Sequence, residues 1–313
     1  MPFMRVLPRY ASGTIDGKGG RMRAESISTA PVFLALLAGA CFGAGGLVSK
    51  LVVAQGFAVA DVTCAQLVNA MAVLGVICLI KRYRYPGFSA CAKLAGIGVF
   101  NAATTFCYYL AIGRVSVSCA VAFQFQYVWM ALALACASSR KLPSARSAIC
   151  AALIVPGSLL GSGLADEAFA GELVVDALGL FLAIACALFY ALYMHLNAKI
   201  EISRPPLQRT FFTMVGAAIF GLAVSPLLGG GMMGFSLAPY GLLMGMIMSV
   251  IPCACLAFAS AKLPSSLVAA LSSSELPVAI AMGAIALGEA ITPLKVVGIV
   301  IVCAAIAASN RRG

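Results

Sequence analysis

Long apolar stretches alternate with short polar or charged segments along almost the whole chain. Most stretches approach the roughly 20 residues that a helix needs to cross the hydrocarbon core of a bilayer. Lipid offers the backbone no hydrogen-bond partner, and the alternating segments of a membrane barrel are missing from the sequence, so each stretch is predicted to be a helix. The pattern predicts ten spans: Val32 to Val53, Val62 to Ile80, Leu94 to Ile112, Val117 to Ser138, Ala148 to Leu164, Leu178 to Leu196, Phe211 to Leu228, Tyr240 to Ala259, Leu267 to Leu287 and Leu294 to Ser309.

The composition agrees with this pattern. Of the 313 residues, 62% are hydrophobic and 10% are charged, whereas soluble proteins average roughly 45–50% apolar and about 25% charged residues. These values exclude a soluble globular domain. The predicted fold class is therefore all-α: a polytopic membrane protein with ten transmembrane helices.

The basic residues predict the orientation in the membrane. The chain has 21 Lys and Arg against 10 Asp and Glu, a net charge of +11. In a soluble protein this excess would suggest nucleic acid, but membrane proteins collect Lys and Arg in their cytoplasmic loops. With a cytoplasmic N-terminus, 18 of them fall on the inner side and only Lys50, Arg114 and Lys295 on the outer side. We therefore expect a multi-pass protein of the inner (plasma) membrane, with both termini cytoplasmic and no nucleic-acid partner.

The spans divide into two sets of five. Residues 32–164 form the first set, residues 178–309 form the second, and an acidic outer loop at 165–177 connects them. Residues 1–29 are polar and Arg-rich and are expected to form a disordered cytoplasmic tail. Because five is an odd number, two such units related as repeats must cross the membrane in opposite orientations.

The two sets show weak internal similarity. Sliding the chain by 150 positions aligns Ala120 with Ala270, among other identities. At this offset Phe125 takes the place of Glu275, so the acid is expected in only one of the two copies.

The segment from Ser265 to Ala307 carries a longer pattern. A helix rich in small residues leads to a glutamate and a nearby proline, then an apolar helix, Leu-Gly-Glu, a proline and a last helix that contains glycine. The residues that fit are Glu275, Pro277, Leu287-Gly288-Glu289, Pro293 and Gly298. The pattern resembles the end of an EamA repeat of the drug/metabolite transporter superfamily, and the segments from Cys41 and Leu178 resemble the first helices of its two repeats.

The resemblance implies two inverted five-helix repeats around one central cavity. It further implies a secondary transporter of small metabolites that works by alternating access, usually as an exporter of amino acids or related compounds.

Glu275 is the strongest candidate for a functional side chain. It lies near the middle of the ninth predicted span, and no basic residue is close to it in sequence. A charged side chain inside a span is costly unless it faces a partner or a water-filled cavity. One interpretation is a site for a proton or a cationic group, and the other is a structural carboxyl group in a helix distorted by Pro277. Ser272 lies one turn earlier on the same predicted face and is a second candidate.

Polar and aromatic residues also recur at helical spacing in the third, fourth and sixth spans. They can line a cavity suited to an amphipathic zwitterion or a planar ring, or they can form hydrogen bonds between helices. The candidate substrate-binding residues in these spans are Asn101, Thr105, Tyr108, Gln126, Trp129, Tyr190 and Tyr193.

Two other polar residues are predicted to have structural positions. Asn197 is expected at the cytoplasmic interface. Lys50, near the outer end of the first span, is expected to extend toward the headgroups. If Lys50 faced inward, it would attract a substrate carboxylate.

The expected partners are a small-molecule substrate and the lipid bilayer, and we expect a monomer or weak homodimer without cofactor or metal. An enzyme is not expected, because one histidine and isolated acids cannot supply a metal cluster or paired catalytic acids. A channel would need an oligomeric pore ring. The main alternative is a proton-coupled multidrug or quaternary-cation exporter in which Glu275 binds proton and cation in competition.

Overall fold

The computed structural model of the chain describes residues 29–140, 142–143, 145–170, 176–231, 235–260, 262–263 and 265–309. The predicted N-terminal tail lies outside these residues, except for Thr29, which begins the first helix.

The described residues of the first half form seven helices, and the last of them occupies part of the predicted acidic loop. Their bounds are α1 Thr29–Val53, α2 Val59–Ile80, α3 Phe88–Ile112, α4 Val117–Gln124, α5 Tyr127–Ser139, α6 Ala145–Ser162 and α7 Leu164–Ala170.

The second half repeats the arrangement with more irregular connections. Its helices are α8 Ala177–Asn197, α9 Pro206–Val224, α10 Ala238–Gly245, α11 Ile251–Ser260, α12 Ser265–Ser272, α13 Glu275–Leu287 and α14 Pro293–Ser309. A 3₁₀ turn at Ser225–Leu228 extends α9, and a π-helical turn at Met246–Val250 joins α10 to α11.

The described residues are all-helical, which confirms the predicted fold class in its coarse form. Seven helical stretches in the described part of the chain are long and apolar enough to cross a membrane, and three shorter apolar helices cover residues 147–162, 275–287 and 293–305. The exact count of ten spans stays a prediction, because these three helices are shorter than a full crossing requires.

Two helices are interrupted in the same way, one in each half. In the first, the backbone N–H groups of Gln126 and Val128 bond to the carbonyl three residues earlier, at 3.1 and 3.2 Å. Ser274 and Leu276 do the same in the second half, at 3.1 and 3.3 Å. A tight turn therefore separates α4 from α5, and an equivalent turn separates α12 from α13.

These breaks correct the alignment of the halves. The helices α4 and α12 have eight residues each, and α5 and α13 have thirteen each. Val117 corresponds to Ser265 and Tyr127 to Glu275, an offset of 148 positions instead of 150. The predicted pairing of Phe125 with Glu275 is therefore wrong, and a tyrosine takes the place of the acid in the first half.

Proline explains one break and not the other. Pro277 has no N–H, and its ring clashes with the carbonyl four residues earlier, that of Ser273, where α12 has ended. The corresponding residue of the first half is Trp129, which imposes no such restriction. The sequence therefore has no proline at this position that would have predicted the break between α4 and α5.

The halves pack together through exchanged partners. Helix α1 packs against α11 and α13, and its counterpart α8 packs against α3 and α5. The counterpart pairs α2 with α9 and α6 with α14 pack against each other. A twofold relation between the halves requires this pattern. Close contact at α6 and α14 depends on glycine, because a Cβ on Gly298 would lie 2.3 Å from the backbone nitrogen of Gly161.

Loops predicted on the same side of the membrane meet at the same end of the bundle. At the end that we call the inner end, Gln208 donates to the carbonyl of Arg84 at 2.7 Å, and Arg204 donates to that of Pro86 at 2.9 Å. At the opposite, outer end, Arg114 pairs with Asp176 at 3.3 Å. The names follow the predicted orientation.

Candidate substrate-binding cavity

A cavity of about 390 Å³ lies between the two halves. Helices α1, α2, α3, α4, α8, α9, α11 and α13 contribute to its wall, together with the π-helical turn. Its polar lining consists of Gln66, Asn101, Thr104, Thr105, Tyr108, Tyr109, Gln124, Tyr190, Tyr193, Asn197, Arg209, Thr210, Ser249, Cys253, Ser260 and Glu275. Such a polar surface inside an apolar bundle is typical of a solute site.

The two helix breaks bring side chains into the cavity. Gln124 is the last residue of α4 and Glu275 is the first residue of α13, and both line the cavity. Discontinuous helices place helix ends and freed backbone groups at the binding sites of many transporters. The break at α13 is held by close packing against α1, because a Cβ on Gly43 would lie 2.5 Å from the carbonyl oxygen of Glu275.

Glu275 has an aromatic environment without a cation. Tyr108, Tyr127 and Tyr190 are close enough to interact with it electrostatically. The described residues form two ion pairs, Arg114 with Asp176 and Arg204 with Glu201, and neither includes Glu275. Its carboxyl group is therefore available to a ligand at the deep end of the cavity.

Three tyrosines contact one another through their rings and extend from the surroundings of Glu275 toward the inner end. We call these residues the tyrosine column (Tyr127, Tyr190 and Tyr193). The rings of Tyr127 and Tyr190 meet edge to face with centroids 4.7 Å apart, and those of Tyr190 and Tyr193 are nearly parallel at 5.9 Å. Tyr193 lies in turn within electrostatic range of Arg209. Two of the three, Tyr190 and Tyr193, line the cavity, and they extend from the region of Glu275 toward Arg209.

Arg209 is a cation in the first turn of α9. Its Nη2 donates to the side-chain oxygen of Asn197 at 2.8 Å and also to the main-chain oxygen of that residue. Its Nε–H is buried and has no acceptor in the part of the chain that the structure describes. No ion pair of the described residues includes Arg209, so the cavity holds one acid and one base that do not neutralise each other.

Six of the nine residues predicted from the sequence line this cavity, and three do not. The six are Asn101, Thr105, Tyr108, Tyr190, Tyr193 and Glu275. They come from α3, α8 and α13, so these three helices provide the predicted part of the site.

Gln126 and Trp129 point to a different interface. The indole Nε1–H of Trp129 donates to the Oε1 of Gln126 at 2.7 Å, and the Nε2 of Gln126 donates to the hydroxyl of Ser158 in α6. Trp129 is 38% exposed on the outside of the bundle. These hydrogen bonds connect α5 with α6. The break after α4 turns Gln126 and Trp129 away from the cavity.

Ser272 is also outside the cavity lining. Its hydroxyl donates to the carbonyl of Val268 at 2.7 Å. The turn at Ser273 and Ser274 ends α12 before Glu275, so the helical spacing that was expected to place both residues on one face does not apply.

The sequence analysis did not select several residues of the lining. Arg209 was placed in a loop because the seventh span was predicted to begin at Phe211, whereas α9 begins at Pro206. Proline at a first helical position is a common start signal, and it would have indicated the earlier start. Asn197, expected at the cytoplasmic interface, ends α8 at the inner end, and its side-chain oxygen accepts a hydrogen bond from Arg209. It also lines the cavity, as do the amides of Gln66 and Gln124.

The fold and the cavity together define a multi-pass membrane protein that encloses a site for a small molecule between two related halves. The model of the EamA-like transporter family matches residues 29–162 and again residues 177–311. The chain belongs to this family and is a membrane transporter of small molecules.

Other comparisons add evidence on the fold alone. A solved structure described as "Crystal structure of protein" matches with a TM-score of 0.61 at 13% identity, over 91% of this chain and 99% of that one. No curated protein matches the sequence.

Proposed function

We propose that the protein exports neutral amino acids with an apolar or aromatic side chain from the cytoplasm across the inner membrane, by alternating access. The observation that carries this proposal is the pair of unneutralised charges in one cavity, Glu275 and Arg209. A zwitterion presents an ammonium group and a carboxylate, and each finds an oppositely charged side chain here.

The wall between the two charges supports the apolar part of the proposed substrate. Besides Tyr190 and Tyr193 of the tyrosine column, Phe42, Met194, Met214 and Met248 line the cavity. Aromatic faces and methionine sulfur both pack well against an aromatic or aliphatic side chain. The volume of about 390 Å³ lies in the range of about 300–1,000 Å³ that is typical of small-molecule sites.

The position of the cavity supports entry from the cytoplasm. Asn197 ends α8, Pro206 begins α9 and Ser260 ends α11, and all three line the cavity. These helix ends belong to the inner end of the bundle, where the predicted orientation puts the cytoplasm. The cavity thus reaches toward the side from which an exporter takes its substrate.

The alternative, a proton-coupled exporter of quaternary cations, is supported by the tyrosine column and Glu275. Aromatic faces attract quaternary ammonium groups, and a lone acid can bind either proton or cation. Arg209 favours the amino acid, because a second positive charge in the cavity repels a cation and attracts a carboxylate.

The test is uptake by liposomes that contain the purified full-length protein. Four ring compounds of similar size separate the two charges: phenylalanine, phenylalaninamide, which lacks the carboxylate, phenylpropionate, which lacks the ammonium group, and benzyltrimethylammonium. We expect phenylalanine to be carried and to be inhibited only weakly by the other three.

Three variants test which charged side chain binds which group of the substrate. Arg209→Gln should abolish the preference for phenylalanine over phenylalaninamide, while Arg209→Lys should retain part of it. Glu275→Gln should abolish the preference over phenylpropionate. Glu167→Gln and Lys262→Gln are matched controls at exposed positions outside the cavity. Transport of benzyltrimethylammonium in preference to phenylalanine would overturn the amino-acid proposal in favour of the alternative.

A further inference from the structure

A second cavity, which we call the outer pocket, lies at the opposite end of the bundle and has a volume of about 310 Å³. The C-terminal ends of α1 and α3 and the segment before α4 form most of its wall. It contains two basic side chains, Lys50 and Arg114, and its described lining residues include no acid. These are two of the three basic residues that the predicted orientation puts on the outer side.

Two polar side chains of the outer pocket, those of Lys50 and Ser49, are donors with spare capacity. Lys50 Nζ makes one long hydrogen bond, 3.4 Å to the carbonyl of Val115, although an ammonium group has three donors. Ser49 also lines the pocket, and its hydroxyl is fully buried without a partner among the described residues. A buried hydroxyl without a partner is costly, so a ligand that accepts a hydrogen bond there removes an existing cost.

The basic side chains of the outer pocket indicate that its ligand is an anion. Asp176 pairs with Arg114 at 3.3 Å from outside the pocket lining, and no ion pair of the described residues includes Lys50. A small anion with two acceptor oxygens, such as a carboxylate, matches an ammonium group and a hydroxyl that belong to adjacent residues of α1.

Tyr109 lies between the two cavities and lines both of them. The ring is 1% exposed, and its hydroxyl bonds to Oε1 of Gln66, which itself lines the inner cavity. Tyr109 is the residue that the two described linings share, so a rotation of its side chain can join the cavities.

We propose that the outer pocket is a second substrate subsite, which takes the carboxylate of the transported molecule on Lys50 and Ser49 after it passes Tyr109. The inference rests on the proposed amino-acid substrate. Its test distinguishes a failure of the subsite from a failure of the amino-acid proposal. The substrate needs no further polar partner in the pocket, because the rest of the transported molecule faces Tyr109 and the apolar side chains of Val53, Val59 and Ile112.

The experiment measures the charge selectivity of the pocket with thiol reagents. Val53→Cys places a thiol in the lining, and Gln55→Cys places a matched thiol on the exposed turn after α1. Purified full-length protein in detergent reacts with an anionic reagent, 2-sulfonatoethyl methanethiosulfonate, and with its cationic trimethylammonium analogue. The parent chain, with its own 12 cysteines, gives the background.

We expect the anionic reagent to be favoured about fivefold or more at Val53→Cys, relative to the same pair of reagents with free 2-mercaptoethanol. Lys50→Gln should remove this preference and Lys50→Arg should keep it, and the preference should weaken as salt is added. At Gln55→Cys it should be small. Thermal melting of each variant shows whether it is folded.

Protection by added compounds tests the carboxylate. Phenylalanine should slow the labelling of Val53→Cys severalfold, and phenylalaninamide should not, and Lys50→Gln should abolish the protection. This result supports the subsite.

Equal normalised rates for the two reagents, or a preference that survives Lys50→Gln in a folded protein, would overturn the inference. Phenylalanine that is transported but gives no protection would also overturn it, as would equal protection by phenylalaninamide. A Lys50-dependent preference together with no transport of phenylalanine upholds an anion site here and overturns the proposed amino-acid function instead.

Discussion

Glu289 of the second half caps a helix of the first half: its Oε1 accepts a hydrogen bond from the backbone N–H of Val117 at 2.9 Å. Its Oε2 accepts from the N–H of Ser118 at 3.3 Å and from the hydroxyl of the same residue. The N–H groups in the first turn of a helix lack partners within it, and a negative charge there is favourable. The acid of the Leu-Gly-Glu pattern thus joins the halves at the outer end.

Replacing Glu289 should loosen this connection. Glu289→Ala removes all three acceptor contacts. We expect it to lower the free energy of unfolding by about 2 kcal/mol, as for hydrogen bonds to a charged group. Glu289→Gln keeps an acceptor without the charge and should lose less. Thermal melting of the purified protein in detergent measures both, with the exposed Glu167→Gln as control. A melting temperature unchanged in Glu289→Ala would contradict the capping role.

Gly43 should tolerate no side chain, because a Cβ there would lie 2.5 Å from the carbonyl oxygen of Glu275 and 2.9 Å from the Cβ of Val278. Gly43→Ala therefore has to displace the start of α13, and we expect lower thermal stability and a raised KM for transport. Gly96→Ala is a matched control in α3, where a Cβ meets no atom within 4 Å. That substitution should stabilise the helix by up to about 1 kcal/mol. Equal behaviour of the two variants would refute the close contact.

Tyr190 should contribute to substrate affinity through its ring. It stacks between Tyr127 and Tyr193, and aromatic pairs are worth about 0.5–1.5 kcal/mol beyond their buried area. Tyr190→Phe keeps the ring and should leave the KM for phenylalanine nearly unchanged, whereas Tyr190→Ala should raise it by up to about tenfold. If Tyr190→Phe has the larger effect, the hydroxyl and not the ring is the important group.

Gln126 should affect stability and not affinity. It bridges Trp129 and Ser158, between α5 and α6, and it does not line the cavity. Gln126→Ala leaves the Nε1–H of Trp129 without its acceptor, so we expect a lower melting temperature at an unchanged KM. An altered KM in a protein of normal stability would return Gln126 to the binding site.

The apolar pattern predicted the fold well, since span length is imposed by the membrane. Helices α1, α2 and α3 end at Val53, Ile80 and Ile112, as predicted. Here the last apolar residue and the last helical residue coincide, because polar or glycine-containing turns follow directly. Starts were less accurate: α9 begins before its apolar stretch and carries Arg209 into the bundle.

The site was predicted only in part, because helical spacing is valid only within an unbroken helix. Asn101, Thr105 and Tyr108 share the unbroken α3, and all three line the cavity. Gln126 and Ser272 lie at the breaks, where the spacing no longer indicates a common face. The break beside Ser272 has a proline as its signal, and the break at Gln126 has none.

The correspondence of Tyr127 with Glu275 has a consequence for the energetics of the carrier. Under the alternating access that we propose, two identical halves would make the inward-open and outward-open arrangements equivalent by twofold rotation and equal in free energy. A phenol in one half and a carboxyl group in the other remove this equality. On this proposal the empty protein has a preferred resting orientation, and the charge state of Glu275 contributes to how strongly that orientation is favoured.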